Sequence, residues 1–115
     1  MSEFRLKRVE QNIRETISNL ILRGTVKDPR VSGLISVTEV KVSKDIAYAD
    51  VFVSSIQSEK RMQKTVDGLN HAAGFIQRKI ANTLHMRVTP KLRFKPDTAI
   101  EHGFHLTQKL NKLSS

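Results

Sequence analysis

Val9, Ile13, Ile17, Leu20 and Ile21 recur at i, i+4, i+8, i+11 and i+12. That spacing lays one apolar stripe along a helix over about Arg5 to Leu22. Gly24 supplies its stop. In the loop that follows, Lys27-Asp28-Pro29-Arg30 reads as a turn or extended corner, because Pro29 lacks an N–H and disfavours a helical Asp28. Ile35 to Val42 is β-branched and alternating. Its apolar parity shifts between Val37 and Val40, which predicts a bulge near Thr38-Glu39. Ser43-Lys44-Asp45 is read as a hairpin turn and Ile46 to Ser54 as the second strand. Ala47, Ala49, Val51 and Val53 then point to one face, and Tyr48, Asp50 and Phe52 to the other.

From Glu59 to Leu84 the apolar positions Met62, Val66, Leu69, Ala73, Ile76, Ile80 and Leu84 keep a helical period throughout. One helix of that length would run about 39 Å, long for so small a domain. Gly68 and Gly74 interrupt it, each costing about 1 kcal/mol relative to Ala. Two helices with a kink near Ala72-Ala73-Gly74 are therefore expected. Pro90 precedes Lys91-Leu92-Arg93-Phe94-Lys95, a strand with Leu92 and Phe94 inward and three cations outward; Pro96 ends it. Phe104, Leu106, Leu110 and Leu113 suit a short docked helix in the tail. The order α-β-β-α-α-β predicts an α+β fold, a three-stranded sheet with helices on one face. A single domain is expected over residues 1–115, with a core from about 5 to 103 and a tail from 104 to 115.

Charge changes this picture. The 115 residues carry 20 Lys plus Arg and 11 Asp plus Glu, a formal net charge of +9. Most of that excess follows Lys60, and no acid occurs between Asp67 and Asp97. Such an imbalance points to a polyanionic partner, most often nucleic acid. With no cysteine in the chain, disulfides, thiolate zinc sites and cysteine nucleophiles are excluded. No apolar run approaches the roughly 20 residues of a membrane span, and Met1 to Arg8 lacks the apolar core of a signal peptide. A cytoplasmic protein without a membrane partner is the expectation.

Catalytic chemistry finds little footing. His102 and His105 lie beside Glu101, but no third metal ligand accompanies them. His71 and His85 belong to no recognisable triad, and Walker A and GxGxxG sequences are absent. No catalytic residue, metal site or cofactor is assigned. For nucleic acid, an RNA-recognition sheet would need several stacking aromatics; Tyr48 and Phe52 share a face and can either stack bases or pack locally. The helix–kink–helix followed by a basic strand is more suggestive. It resembles a K-homology domain, in which a GxxG loop clamps the nucleic-acid backbone. No GxxG occurs here, and Ala72-Ala73-Gly74 takes its place. Small residues there allow either a phosphate or a neighbouring element to approach closely.

The chain resembles the bacterial ribosome-binding factor A family. The resemblance rests on Lys27-Asp28-Pro29-Arg30-Val31, the run from Val37 to Ser54, the joint Ala72-Ala73-Gly74-Phe75-Ile76, and Arg87-Val88-Thr89-Pro90-Lys91-Leu92-Arg93-Phe94 with Asp97. It covers about Val9 to Gly103. One departure is Asp97-Thr98-Ala99, where the family often has Asp-x-Ser. The resemblance implies a type II K-homology fold with a Gly-poor clamp. It also implies a non-enzymatic assembly factor that binds the small (30S) ribosomal subunit; nothing in the sequence demands more than a monomer. Such factors assist late maturation and 5′-end processing of 16S rRNA, matter in cold adaptation and work with an assembly GTPase. A general K-homology-like module or RNA chaperone without ribosome preference is the alternative. On either reading Arg78, Lys79, Arg87, Lys91 and Arg93 are the candidate phosphate-binding residues, with Lys27 and Arg30 near the Pro29 corner behind them.

Overall fold

In a computed structural model the chain is described over residues 3–31, 35–55 and 58–97. The elements are α1 (Glu3–Leu22), β1 (Ile35–Val42), β2 (Tyr48–Ser55), α2 (Glu59–His71), α3 (Ala73–Leu84) and β3 (Lys91–Pro96). This is the expected α-β-β-α-α-β order. The tail helix, the His102–His105 pair and the rest of the segment from Thr98 onward lie outside the described residues.

Helix α1 buries Ile13, Thr16, Ile17 and Ile21. Its exit is a Schellman motif: Gly24 takes φ +68°, its N–H donates to Ile21 O, and the Thr25 N–H donates to Leu20 O. Gly24 is thus needed for a left-handed backbone that a β-carbon would strain. Helix α2 starts on Ser58, whose hydroxyl accepts from the Arg61 N–H, satisfying one of the helix's orphan donors.

The sheet has the order β1-β2-β3. Strands β1 and β2 are antiparallel, whereas β2 and β3 are parallel. A parallel neighbour needs a long crossover, and α2 with α3 provide it. The bulge expected at Thr38-Glu39 is present as a register shift between Val37 and Glu39. It is what lets Val37, Val40 and Val42 all face the core. Thr38, left without a strand partner, donates from its hydroxyl to Phe52 O at 3.2 Å and to the Asp97 carboxylate at the exit of β3.

The second strand begins at Tyr48, not Ile46. Ile46 takes φ +57°, outside any strand conformation, and Ala47 is exposed. The reason is local polar chemistry. The Ser43 hydroxyl accepts from the N–H groups of Ala47 and Tyr48 and donates to the Asp45 carboxylate at 2.7 Å. These bonds hold Asp45 ionised below the usual carboxylate range, with the Ser43 hydroxyl the largest cause. Side-chain competition with backbone pairing lengthens the turn to residues 43–47.

All three helices pack on one face of the sheet. Ala49, Val51 and Val53 from β2, Leu92 and Phe94 from β3, and Ile13, Ile17, Leu69, Ile76 and Ile80 from the helices form one core. Gly68 in α2 has a positive role here. A β-carbon there would lie 3.0 Å from Arg30 Cβ and Asp28 Oδ1 and 3.1 Å from Val31 Cγ2. Its missing side chain lets the Pro29 corner press against α2, where the buried Thr65 hydroxyl donates to Arg30 O at 3.1 Å.

Candidate nucleic-acid interface

The break between α2 and α3 falls where the glycines and helix length place it. Ala72 adopts φ −88°, ψ 3° and is both the last cap of α2 and the first of α3. Its N–H still donates to Gly68 O, and its carbonyl accepts from the Ile76 N–H. The chain therefore turns within one residue without wasting hydrogen bonds. Ala72 and Ala73 are half-buried against the core, while Gly74 is exposed with no atom within 4 Å of where its β-carbon would be. Close packing accordingly explains Gly68 and not Gly74. No side chain caps the start of α3.

A groove of about 400 Å³ opens against the joint, lined by Thr25, Lys27, Asp28, Pro29, His71, Ala72 and Phe75. Its one carboxylate is already committed. Asp28 Oδ1 accepts from the Arg30 backbone N–H and from Nε, each at 2.9 Å, and Oδ2 accepts from a guanidinium N–H at 2.8 Å. The Arg30 fork holds the Asp28 carboxyl far below its ordinary range and raises its own affinity for a proton.

The basic residues singled out along the chain divide between two faces. Arg78 and Lys79 are exposed on α3, in the helix layer. Lys79 Nζ lies 5.6 Å from the centroid of the Phe75 ring. Lys27 is exposed at the rim of the joint groove, beside the committed Arg30. Lys91 and Arg93 point the other way, from the solvent face of β3, because Leu92 and Phe94 take the inward positions. Arg87 is exposed in the connection from α3 to β3, where the two faces meet.

The sheet-face cations are partly balanced. Arg93 Nε donates to Asp50 Oδ1 at 2.8 Å, its guanidinium lies 4.8 Å from the Tyr48 ring centroid, and Lys95 Nζ reaches Asp50 Oδ2 at 3.3 Å. Among the described residues Lys27, Arg78, Lys79, Arg87 and Lys91 have no carboxylate partner. A phosphate approaching those five displaces no carboxylate of the described residues. At Arg93 it must compete with Asp50.

Asn70 carries a role that its sequence position does not announce. Its side-chain amide donates to Phe94 O at 3.0 Å and accepts from the Phe94 N–H at 2.8 Å. The Asp97 N–H donates to Val53 O in β2 and the Lys91 N–H to Ala47 O just before that strand, so Phe94 turns its peptide groups to the free edge of β3. Asn70 fills that edge as a short strand would.

No cluster of three or more metal-ligating side chains occurs among the described residues. No helix there is long and apolar enough to cross a membrane. No buried side-chain polar atom there is left without a partner.

Comparison with known proteins assigns this architecture. The family model of ribosome-binding factor A matches residues 5–110. The ribosome-binding factor A of Treponema denticola is 49% identical over 113 residues, covering 98% of this chain and 86% of its own. The crystal structure of ribosome-binding factor A from Thermus thermophilus superposes with a TM-score of 0.67 at 25% identity, over 79% of this chain and 94% of that one. A homology model of the Thermus thermophilus factor, fitted into a cryo-EM map of its complex with the 30S subunit, gives a TM-score of 0.65 at 26% identity. It covers 79% of this chain and 93% of that one.

Proposed function

The chain belongs to the ribosome-binding factor A family, and from that premise we propose that it binds the small ribosomal subunit and assists late maturation of 16S rRNA, including processing of its 5′ end. The observation that carries this reading is a set of helix-side cations with no carboxylate partner among the described residues. Lys27 lies at the rim of the joint groove, Arg78 and Lys79 on α3 beyond the exposed Gly74, and Arg87 past the far end of that helix. They supply phosphate contacts, and Gly74 lets the backbone of α3 come close to one phosphate. Lys91 extends the footprint past Arg87 onto the sheet face. Arg93 and Arg30 are secondary, since each must first exchange a carboxylate for a phosphate. The half-exposed Arg93–Asp50 pair holds only about 0–1 kcal/mol, so a phosphate can win that exchange, whereas the two-point Arg30–Asp28 fork with its nearly buried carboxylate yields less readily.

The role is positional. Phosphate contacts fix register without reading sequence, which suits a factor that recognises folded rRNA. It fits a cytoplasmic protein that acts as a monomer by binding and performs no chemistry, its release aided by an assembly GTPase. The kinship to a factor fitted into a 30S complex supports the ribosome over a general RNA chaperone.

Co-sedimentation with purified subunits tests this directly. The wild type is expected to travel with small subunits and not with large ones. The double variant Arg78→Glu/Arg87→Glu is expected to lose binding at least tenfold while keeping its melting temperature. Equal pelleting with both subunits, or unchanged affinity in the variant, rejects the reading. In cells lacking the protein, free subunits and 16S rRNA with an unprocessed 5′ end are expected to accumulate.

A further inference from the structure

We propose that the seam between α1 and α3 is a track for an unpaired RNA strand, with a base seated on the Phe75 ring and phosphates held by Arg23 and Lys79. This rests on the RNA-binding reading and adds to it a site that lies away from the edge of β3.

Two grooves make the track. The first is the groove at the joint, with Phe75 and Pro29 in its wall. The second, of about 350 Å³, lies between α1 and α3 and is lined by residues including Asn19, Arg23, Lys79 and Thr83. Thr25 lines both, so they are neighbours. The Lys79–Phe75 contact at 5.6 Å links them a second time.

The chemistry of the lining selects the occupant. Arg23, Lys27 and Lys79 have no carboxylate partner among the described residues. Asp28, the one acid among the described lining residues, is closed by three hydrogen bonds from Arg30. A run of cations beside an aromatic wall is the arrangement that holds single-stranded nucleic acid, since the cations follow the backbone while the ring stacks a base. Thr25, Asn19 and Thr83 add hydroxyl and amide groups that can meet a ribose 2′-hydroxyl. The competing route along β3 is obstructed, because Asn70 already occupies both peptide groups of Phe94 at that edge.

The test uses the full chain, a fluorescent eight-nucleotide oligouridine carrying 4-thiouridine, and purified small subunits. Wild type is expected to bind the oligonucleotide and to crosslink at the peptide containing Phe75. Arg23→Glu/Lys79→Glu is expected to weaken that binding more than tenfold. Loss of two single-strand phosphate contacts should flatten the log K against log salt slope by about 1.4. Phe75→Leu keeps the apolar volume and removes the ring, so roughly tenfold weaker binding is expected. Lys41→Glu on the far face of the sheet should stay within twofold.

If the seam variants bind the oligonucleotide within twofold of wild type, the track is wrong. If wild type binds small subunits but neither binds nor crosslinks the oligonucleotide, the track fails and the proposed function stands. A subunit crosslink from the seam to a ribosomal protein and not to rRNA also overturns the track. Failure of wild type to bind small subunits would instead sink the proposed function.

Discussion

Single residues set the geometry of the Pro29 corner. Asp28 and Arg30 form a two-point fork, and the Arg30 backbone N–H adds a third bond to the same carboxylate. The folded-state acidity of Asp28 is therefore strengthened, with the Arg30 side chain its main cause. A depressed carboxylate pKa contributes stability that is complete above the unfolded value, about 3.9. It is lost as pH falls from there through the folded value. Asp28→Asn should lower the melting temperature at pH 7, and the gap to wild type should narrow below about pH 4. Melting curves from pH 2 to pH 7 check the sign. The two α2–α3 glycines offer a paired test. Gly68→Ala gains about 1 kcal/mol of helix propensity. Its new methyl, however, meets Arg30 and Asp28 at 3.0 Å, and those neighbours are pinned by their own fork. Overpacking of about 1–3 kcal/mol should win, and the protein should melt lower. Gly74→Ala has open space and should stabilise by up to about 1 kcal/mol. It should also weaken subunit binding if a phosphate sits against that backbone. The sequence named both glycines as interruptions. It could not separate them, because the atoms that decide the matter come from residues 28–31.

At the scale of elements, the helices and β1 were legible and the joints less so. The apolar stripe of α1 and the bulge at Thr38 express local periodicity, which a sequence displays, and the break at Ala72 follows from Gly68, Gly74 and the length of the helix they interrupt. Ile46 was misread because a β-branched residue with positive φ runs against local preference. Ser43 and Asp45 override that preference through side-chain bonds that only the folded turn reveals. Asn70 was invisible for a related reason. It is a polar residue on an exposed helical position, and its partner Phe94 lies 24 residues away. Removing the clasp leaves two peptide groups of an edge strand without their protein partner. Asn70→Ala should cost about 1–2 kcal/mol. The Phe94 amide should lose hydrogen-exchange protection while core amides of β2 keep theirs. Unchanged exchange at Phe94 would show that water substitutes for the clasp without loss.

Across the whole molecule, the acid-free stretch from Asp67 to Asp97 looked like one surface because it is continuous in sequence. The fold sends it along α3 and then back through β3 on the opposite side of a two-layer sandwich, so neighbours in the chain face away from each other. The charge is also unequal in availability. Asp50 draws on both Arg93 and Lys95, whereas Arg78, Lys79 and Arg87 pair with no carboxylate among the described residues. Counterion release counts contacts made with phosphate, not cations present. Each phosphate contact to duplex rRNA contributes about 0.9 to the salt slope and each single-strand contact about 0.7. If the helix side carries the footprint, Arg78→Glu/Arg87→Glu should flatten the slope for small-subunit binding by about 1.4–1.8. Arg93→Glu/Lys95→Glu should flatten it by less than half as much, because part of that charge is already spent on Asp50. Equal losses from both pairs would mean that the rRNA wraps the β3 edge and touches both layers. A larger loss from the sheet pair would move the interface to the Tyr48–Arg93 face. Affinity measured from 50 to 300 mM salt with both variants decides among the three.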